Sequence, residues 1–236
     1  MGKRELVLIA LFVAVGVVVY QFTAPPAPAG SDLSVGGLFQ RMKRGMQGPR
    51  AMASADWAHT YPVPATAQKL RLVFPRSCDL TIVGSDRDDL SVEMKVSARG
   101  YAEAEANDAA SSAKVTIEPS GDTVAVTGAW NDRRDGQRPF VTQVAITLAI
   151  PRRLQVNLTP HIGQLTVKDV AALDATMSRG ETRVTGTAGD VSLGHIGGAL
   201  EVTGGAALKL NARNSRGEVS GFTGAASIDA TEAVSS

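Results

Sequence analysis

Hydrophobic residues fall into three regimes along this chain. From Leu6 to Tyr20 the run is apolar apart from one glycine, and Phe22 extends it. From Lys69 to Ile150 apolar positions alternate with polar or small ones: Leu70, Leu72 and Phe74, then Leu80 and Ile82, then Leu90, Val92, Met94 and Val96, then a long stretch over 141–150. Period two marks half-buried β-strands. Short strands are also predicted over 114–118 and 123–127, with turns at Gly84-Ser85-Asp86 and Gly121-Asp122. Residues 101–113 are rich in Ala and Glu and lack β-branched residues, which predicts a short helix. Residues 130–139 read as a polar loop.

The third regime is a ladder that repeats at intervals of about 17 to 18 positions. One column reads Ile150, Val167, Val184, Val202, Val219. A second reads Val156, Leu173, Val191, Leu208, Ala226, and a third Leu158, Ala175, Leu193, Leu210, Ile228. Helical-hairpin repeats need more than about 30 residues. The shorter period here holds two or three short strands with tight corners. One such turn cannot bury its own apolar face, but stacking turns about 4.8 Å apart packs like residues on like. The corners repeat too. Val184-Thr185-Gly186, Val202-Thr203-Gly204 and Val219-Ser220-Gly221 share a pattern, and Val167-Lys168-Asp169 holds its place one turn earlier. Gly, with Asp as substitute, is the chemistry of a turn that needs positive φ. A second corner holds Gly163, Gly180 and Gly198. The predicted fold is therefore mainly all-β. It consists of a short β-solenoid (a β-helix whose coil is one ladder period long), a strand-rich lead-in with one short helix, and an N-terminal membrane helix.

The predicted division is 1–23 as transmembrane anchor or signal peptide, 24–68 as a Pro/Gly-rich basic linker, and 69–236 as the β-solenoid domain, with 69–143 as lead-in and 144–230 as regular coils. The apolar run lies on the boundary between a spanning helix of roughly 17–25 residues and a signal-peptide core of roughly 7–15. Its length, with Tyr20 and Phe22 placed for the interface, favours a retained single-pass anchor through residues 6–22. Ala27-Pro28-Ala29 offers the alternative, secretion after cleavage near Ala29. Either way the C-terminal domain is expected outside the cytoplasm, in the periplasm or beyond the cell. Within the linker, Leu38, Phe39, Met42 and Met46 fall near helical spacing among Arg41, Lys43 and Arg44. The predicted state is a basic linker, with a short lipid-lying helix as the alternative.

Charge adds little. The net charge is +1, which points away from nucleic acid. Residues 1–60 hold six Lys/Arg against Glu5, Asp32 and Asp56, so the remainder carries 18 basic and 20 acidic residues. The lone cysteine, Cys78, reads as a small buried hydrophobe in a strand.

No catalytic, cofactor-binding or metal-binding set is predicted. His59, His161 and His195 are scattered, and His161 and His195 fall two coils apart, about 10 Å on one face; they read as surface or corner residues. Asp169, Asp174, Glu181, Asp190, Glu201, Glu218 and Asp229 read as solvated outward positions. The weighed alternative is the acid cluster of a polysaccharide-acting β-helix, whose groove needs walls that bare coils lack. Arg133, Arg134 and Arg138 form a solvated loop, or a sugar- or peptide-binding one. Gly186-Thr187-Ala188-Gly189-Asp190 lacks the Gly-Lys-[Ser/Thr] of a phosphate loop.

The order of parts resembles a bacterial domain-of-unknown-function family known as "putative adhesin" or β-strand-repeat domains, related to toastrack modules. The residues carrying the resemblance are LTIVGSDRDDLSVEMKV (80–96), the helix over 101–113, KVTIEPSGDTVAVTG (114–128), VAITLAIP (144–151) and the glycine-cornered coil from Gly163. The resemblance covers roughly 70–230 and implies a β-solenoid of right hand, without established catalytic residues. The functional expectation is a non-enzymatic, membrane-tethered, envelope-facing module for surface interaction, adhesion or envelope-stress scaffolding. Its partners would be the membrane and an envelope protein or glycan. The alternatives are a polysaccharide-binding or polysaccharide-acting β-helix protein, and a self-assembling module that forms homo-oligomers through solenoid ends.

Overall fold

The computed structural model describes residues 48–75, 77–132 and 138–231, together with residues 12, 13, 15, 16, 19, 42, 44 and 46. The chain is mainly β. Its strands are β1 (Ala51–Pro62), β2 (Lys69–Val73), β3 (Asp79–Ser85), β4 (Asp89–Gly100), β5 (Lys114–Ser120), β6 (Thr123–Ala129), β7 (Phe140–Pro151), β8 (Gln155–Ile162), β9 (Leu165–Lys168), β10 (Ala172–Arg179), β11 (Thr182–Thr185), β12 (Val191–Gly205), β13 (Leu208–Phe222) and β14 (Ala226–Thr231). Helix α1 (Glu103–Ser111) lies between β4 and β5. All fourteen strands belong to one sheet.

Two runs of parallel pairing organise that sheet. In the first, β6, β2, β8, β10, the opening halves of β12 and β13, and β14 follow one another in register. In the second, β7, β3, β9, β11 and the closing halves of β12 and β13 do the same. The chain passes from one run to the other at each turn, and the inward side chains of both runs share one aliphatic core. Two of the predicted columns are formed pair by pair. Val156, Leu173, Val191, Leu208 and Ala226 stand opposite one another in neighbouring strands, as do Leu158, Ala175, Leu193, Leu210 and Ile228.

The remaining column needs a correction. Val167, Val184, Val202 and Val219 are stacked, but the residue preceding Val167 is Ile82, not Ile150. Ile150 lies in β7, on the far side of β3, opposite Gly84. The stacking therefore begins inside the stretch predicted as lead-in. β2 and β3 form the turn next to β8 and β9, with Leu70 opposite Val156 and Leu80 opposite Leu165, and β6 and β7 pair in parallel on its outer side. In sequence, β4 to β7 intervene between β3 and β8, and β6 and β7 stack beyond β2 and β3 rather than before β8, which hides the period.

The corners behave as their composition demands. Gly186, Gly204 and Gly221 have φ of 68°, 83° and 74°, and Asp169 takes the same left-handed conformation at 54°. At the second corner close approach is the constraint. A Cβ on Gly180 would lie 1.9 Å from the Gly163 carbonyl oxygen, and one on Gly198 would lie 2.0 Å from that of Gly180.

Helix α1 closes one end of the core by packing against β4, β1 and β7. Glu103 and Glu105 in its first turn complement the helix dipole, and Ala106 and Ala110 form its buried stripe. Gly100 makes room for it, since a Cβ there would lie 2.6 Å from the Ala106 nitrogen.

β1 falls inside the predicted linker. Residues 51–62 pair antiparallel with β4 along their whole length. The inward positions here are Ala51, Ala53 and Ala55 before Trp57, so hydrophobic contrast is too weak for period two to show. Upstream, the described residues 12, 13, 15, 16 and 19 have, apart from Gly16, exposed apolar side chains: Phe12, Val13, Val15 and Val19. Among the described residues no helix is long and apolar enough to cross a membrane.

Candidate functional site

The groups with chemical potential are gathered in three places. The first is a buried column at the glycine corner. His161, Met177 and His195 stand opposite one another on β8, β10 and β12. The sequence read both histidines as surface or corner residues; both lie at the corner, but buried, His161 2% exposed and His195 0%. His195 continues the inward alternation of Val191 and Leu193. His161 reaches the inner face through an irregularity in the pairing of β8 with β10. His59 alone is exposed as expected. Burial lowers the pKa of His161 and of His195 below the usual imidazole value. A hydrogen bond between His161 Nε2 and the Cys78 carbonyl (2.9 Å) works the other way, as does the Gly180 carbonyl near His195.

Cys78 does sit beside a histidine, with its Sγ 4.0 Å from His161 Nε2. The pair is no thiolate–imidazolium couple, however. Burial, with the Asp79 charge, pushes the thiol up to about 12, while burial pushes the histidine down. The thiol form is inert as a nucleophile, and Cys78 packs in the core as predicted, though immediately before β3 rather than within a strand.

His195 also meets Ser215, with Nδ1 and Oγ 2.7 Å apart. The serine hydroxyl has the Arg213 carbonyl (2.9 Å) and the His195 carbonyl (3.3 Å) as acceptors, so Nδ1–H donating to Oγ satisfies all three groups. The far ring nitrogen, Nε2, is buried and makes no hydrogen bond of good geometry, with the Gly180 carbonyl as the backbone acceptor acting on the ring. A base poised to activate serine must take the hydroxyl proton, whereas here that proton is directed to the backbone carbonyls and Nδ1–H donates to Oγ. The geometry is that of a corner clamp.

The second place is the outer face. Asp169, Asp174, Glu181, Asp190, Glu201, Glu218 and Asp229 are all exposed, as predicted. Glu181, Glu201 and Glu218 come together with Arg216 around an open cleft of about 390 Å³. Arg183 bonds Glu201 at 2.8 Å and reaches Glu181 at 3.9 Å, so the acids are partly neutralised along the ladder. Among the described residues no cluster of His, Cys, Asp or Glu could hold a metal ion.

The third place surrounds α1. Arg44 is buried, donates to Glu105 at 2.7 Å, and lies over the Tyr101 ring at 4.7 Å. Glu105 also accepts the Tyr101 backbone N–H at 3.1 Å. Arg44 is thus tied to the body, where the sequence predicted a basic linker or, in the alternative, a short lipid-lying helix. Met42 and Met46 point outward instead, 62% and 76% exposed. A hollow of about 340 Å³ lies between Arg44, α1, Asn131 and Arg138. Arg133 and Arg134, grouped with Arg138 as a loop in the sequence, lie outside the described residues.

One surface escaped the sequence reading. Trp57, His59 and Tyr61 form a row on one face of β1, with ring centroids 4.8 and 5.9 Å apart. Their spacing at alternate positions is the available signal, and the proline-rich surroundings mask it.

No family model matches the chain, and no curated protein matches it. Among solved structures it is similar to a "putative cell adhesion protein" from Clostridium sporogenes ATCC 15579, at 8% identity and a TM-score of 0.30, over 75% of this chain and 100% of the other. It is likewise similar to a "putative adhesin" from Parabacteroides distasonis ATCC 8503, at 15% identity and 0.28, over 75% and 93%. A "putative lipid binding protein" from the same organism follows at 10% and 0.25, over 75% and 96%. At such scores little backbone superimposes, so function has to be argued from this chain's own geometry.

Proposed function

We propose that this protein is a membrane-tethered, envelope-facing surface-interaction module without enzymatic activity, built on a short β-solenoid body. One observation carries the reading. Parallel turns, stacked in register from Val156 through Leu173 and Val191 to Leu208, bury an unbroken aliphatic core, and the outward positions they leave form bare ladders of exposed side chains. A stack of this kind is rigid and presents extended surfaces, the property repeat proteins use in binding. The groups that could do chemistry support the same reading, since Cys78, His161 and His195 are inside and held in their uncharged forms. The exposed side chains of Phe12, Val13 and Val15 fit a lipid-facing segment.

The test is fractionation of cells expressing the full chain. The protein is expected in the membrane fraction, with the body cut by protease added outside the cytoplasmic membrane. Recovery in the soluble cytoplasm, or turnover of an envelope glycan by the purified chain, would overturn the proposal.

A further inference from the structure

A strand of 12 residues lies open along one margin of the sheet. β1 bonds to β4 on one side and, among the described residues, to no strand on the other. Such an edge offers unpaired N–H and C=O groups to any extended chain, and proteins blunt it with charges, prolines or brevity. The other margins are blunted in this way. β5 has 7 residues and carries Lys114, Glu118 and Pro119. The open half of β13 carries Arg216 and Glu218 with Gly217 and Gly221, and β14 has only 6 residues. β1 is long, holds one carboxylate, Asp56, and meets its proline only at the last position.

The inner face of β1 divides into two halves. Ala51, Ala53 and Ala55 come first; Trp57, His59 and Tyr61 follow. Small residues occupy one half and rings the other, and the rings are only half-buried or exposed.

We propose that β1 docks a second copy of this chain, antiparallel, about a two-fold axis at Trp57. That axis sets Ala55 against His59 and Ala53 against Tyr61, so each ring beyond the central tryptophans meets a small partner. On the outer face it sets Asp56 against Ala58 and Ser54 against Thr60. Moving the axis to Asp56 would oppose two carboxylates, which destabilises a strand pair. Moving it to Ala58 would crowd Trp57 against His59 and shorten the overlap. With the axis at Trp57, residues 52–62 of both copies overlap, enough for about ten backbone hydrogen bonds. The interface is isologous, the commonest symmetry of soluble oligomers, and tryptophan and tyrosine are the residues enriched at the centre of such contacts. The inference goes beyond the reading above by naming a self-association face, and it stands whether or not that reading does.

The experiment measures the mass of the full chain in a mild detergent by light scattering, from about 1 to about 300 µM. The wild type is compared with S54K/T60E and S54K/T60K. Both positions are exposed and face only Ser97 and Ser91 within their own sheet. A dimer is expected. S54K/T60E places opposite charges across the two-fold and lowers the dissociation constant about tenfold; S54K/T60K places like charges there and raises it about tenfold. A monomer throughout, or a dimer that responds equally to both variants, overturns the proposal. The fractionation result above is independent of this outcome, so the two proposals fail separately.

Discussion

At the residue scale the corners and the buried histidines decide most. Gly180 and Gly121 separate two costs of a side chain. Gly121 has φ of 62° in open space, so G121A adds backbone strain alone, about 1 kcal/mol. Gly180 has φ of 128° and the Gly163 carbonyl 1.9 Å from where a Cβ would sit, so G180A adds a backbone collision and costs about 3 kcal/mol or more. Urea denaturation of the two variants checks the order, and equal losses would show that the corners do not touch. The histidines set a pH dependence. Burial holds the folded pKa of His161 and His195 below the unfolded value of about 6.5. Their stabilisation is therefore full above that pH and is lost as pH falls through the window below it, because the unfolded chain takes up protons that the folded one refuses. Thermal melts between pH 7.5 and 5.5 are expected to show a falling Tm, and H161Q/H195Q a flatter profile. Glycine corners were legible because only glycine chemistry explains them. Burial of His195 was legible too, in its alternation with Val191 and Leu193, though polarity argued for the surface. Burial of His161 was not, because a register shift near Ala175 and Met177 moves it onto the inner face.

At the element scale, α1 ties Arg44 to the body. Glu105 holds both the Arg44 guanidinium and the Tyr101 backbone N–H. E105A removes the carboxylate to which the buried Arg44 guanidinium donates, a loss of up to about 3–5 kcal/mol if the cation stayed in place. Release of Arg44 into water is the cheaper outcome. Limited trypsin digestion is expected to cut after Arg44 faster in E105A than in the wild type, while the body beyond residue 48 stays intact. Unchanged cleavage would mean that the ion pair does not hold Arg44 on the body. The helix itself was legible from its alanines and glutamates. β1 was not, because alanine under a helix gives a strand no hydrophobic signature, and the prolines around it argue for a linker.

At the scale of the whole molecule, the ladder's period is present in the strand pairing, but its origin lies earlier than periodicity alone places it. Sequence periodicity sees neighbours one period apart, whereas β3 meets β9 across the whole intervening stretch, from Leu80 to Leu165, and β6 and β7 stack on the other side of β2 and β3. Only the fold can close that gap. In the strand pairing, β10 bonds β8 on one side and β12 on the other, and β12 bonds β13 in turn. Such a stack tolerates the loss of one complete turn, because the next turn slides into the same register. Leu173 pairs with Val191, so deletion of residues 173–190 removes one turn and brings Val191 opposite Val156. Deletion of residues 173–181 removes half a turn and joins strands of opposite runs. Circular dichroism during thermal denaturation of both variants is the most direct measurement. The stacked-turn account predicts cooperative melting with retained β signal for the whole-turn deletion and collapse for the half-turn deletion. Equal behaviour of the two would contradict it.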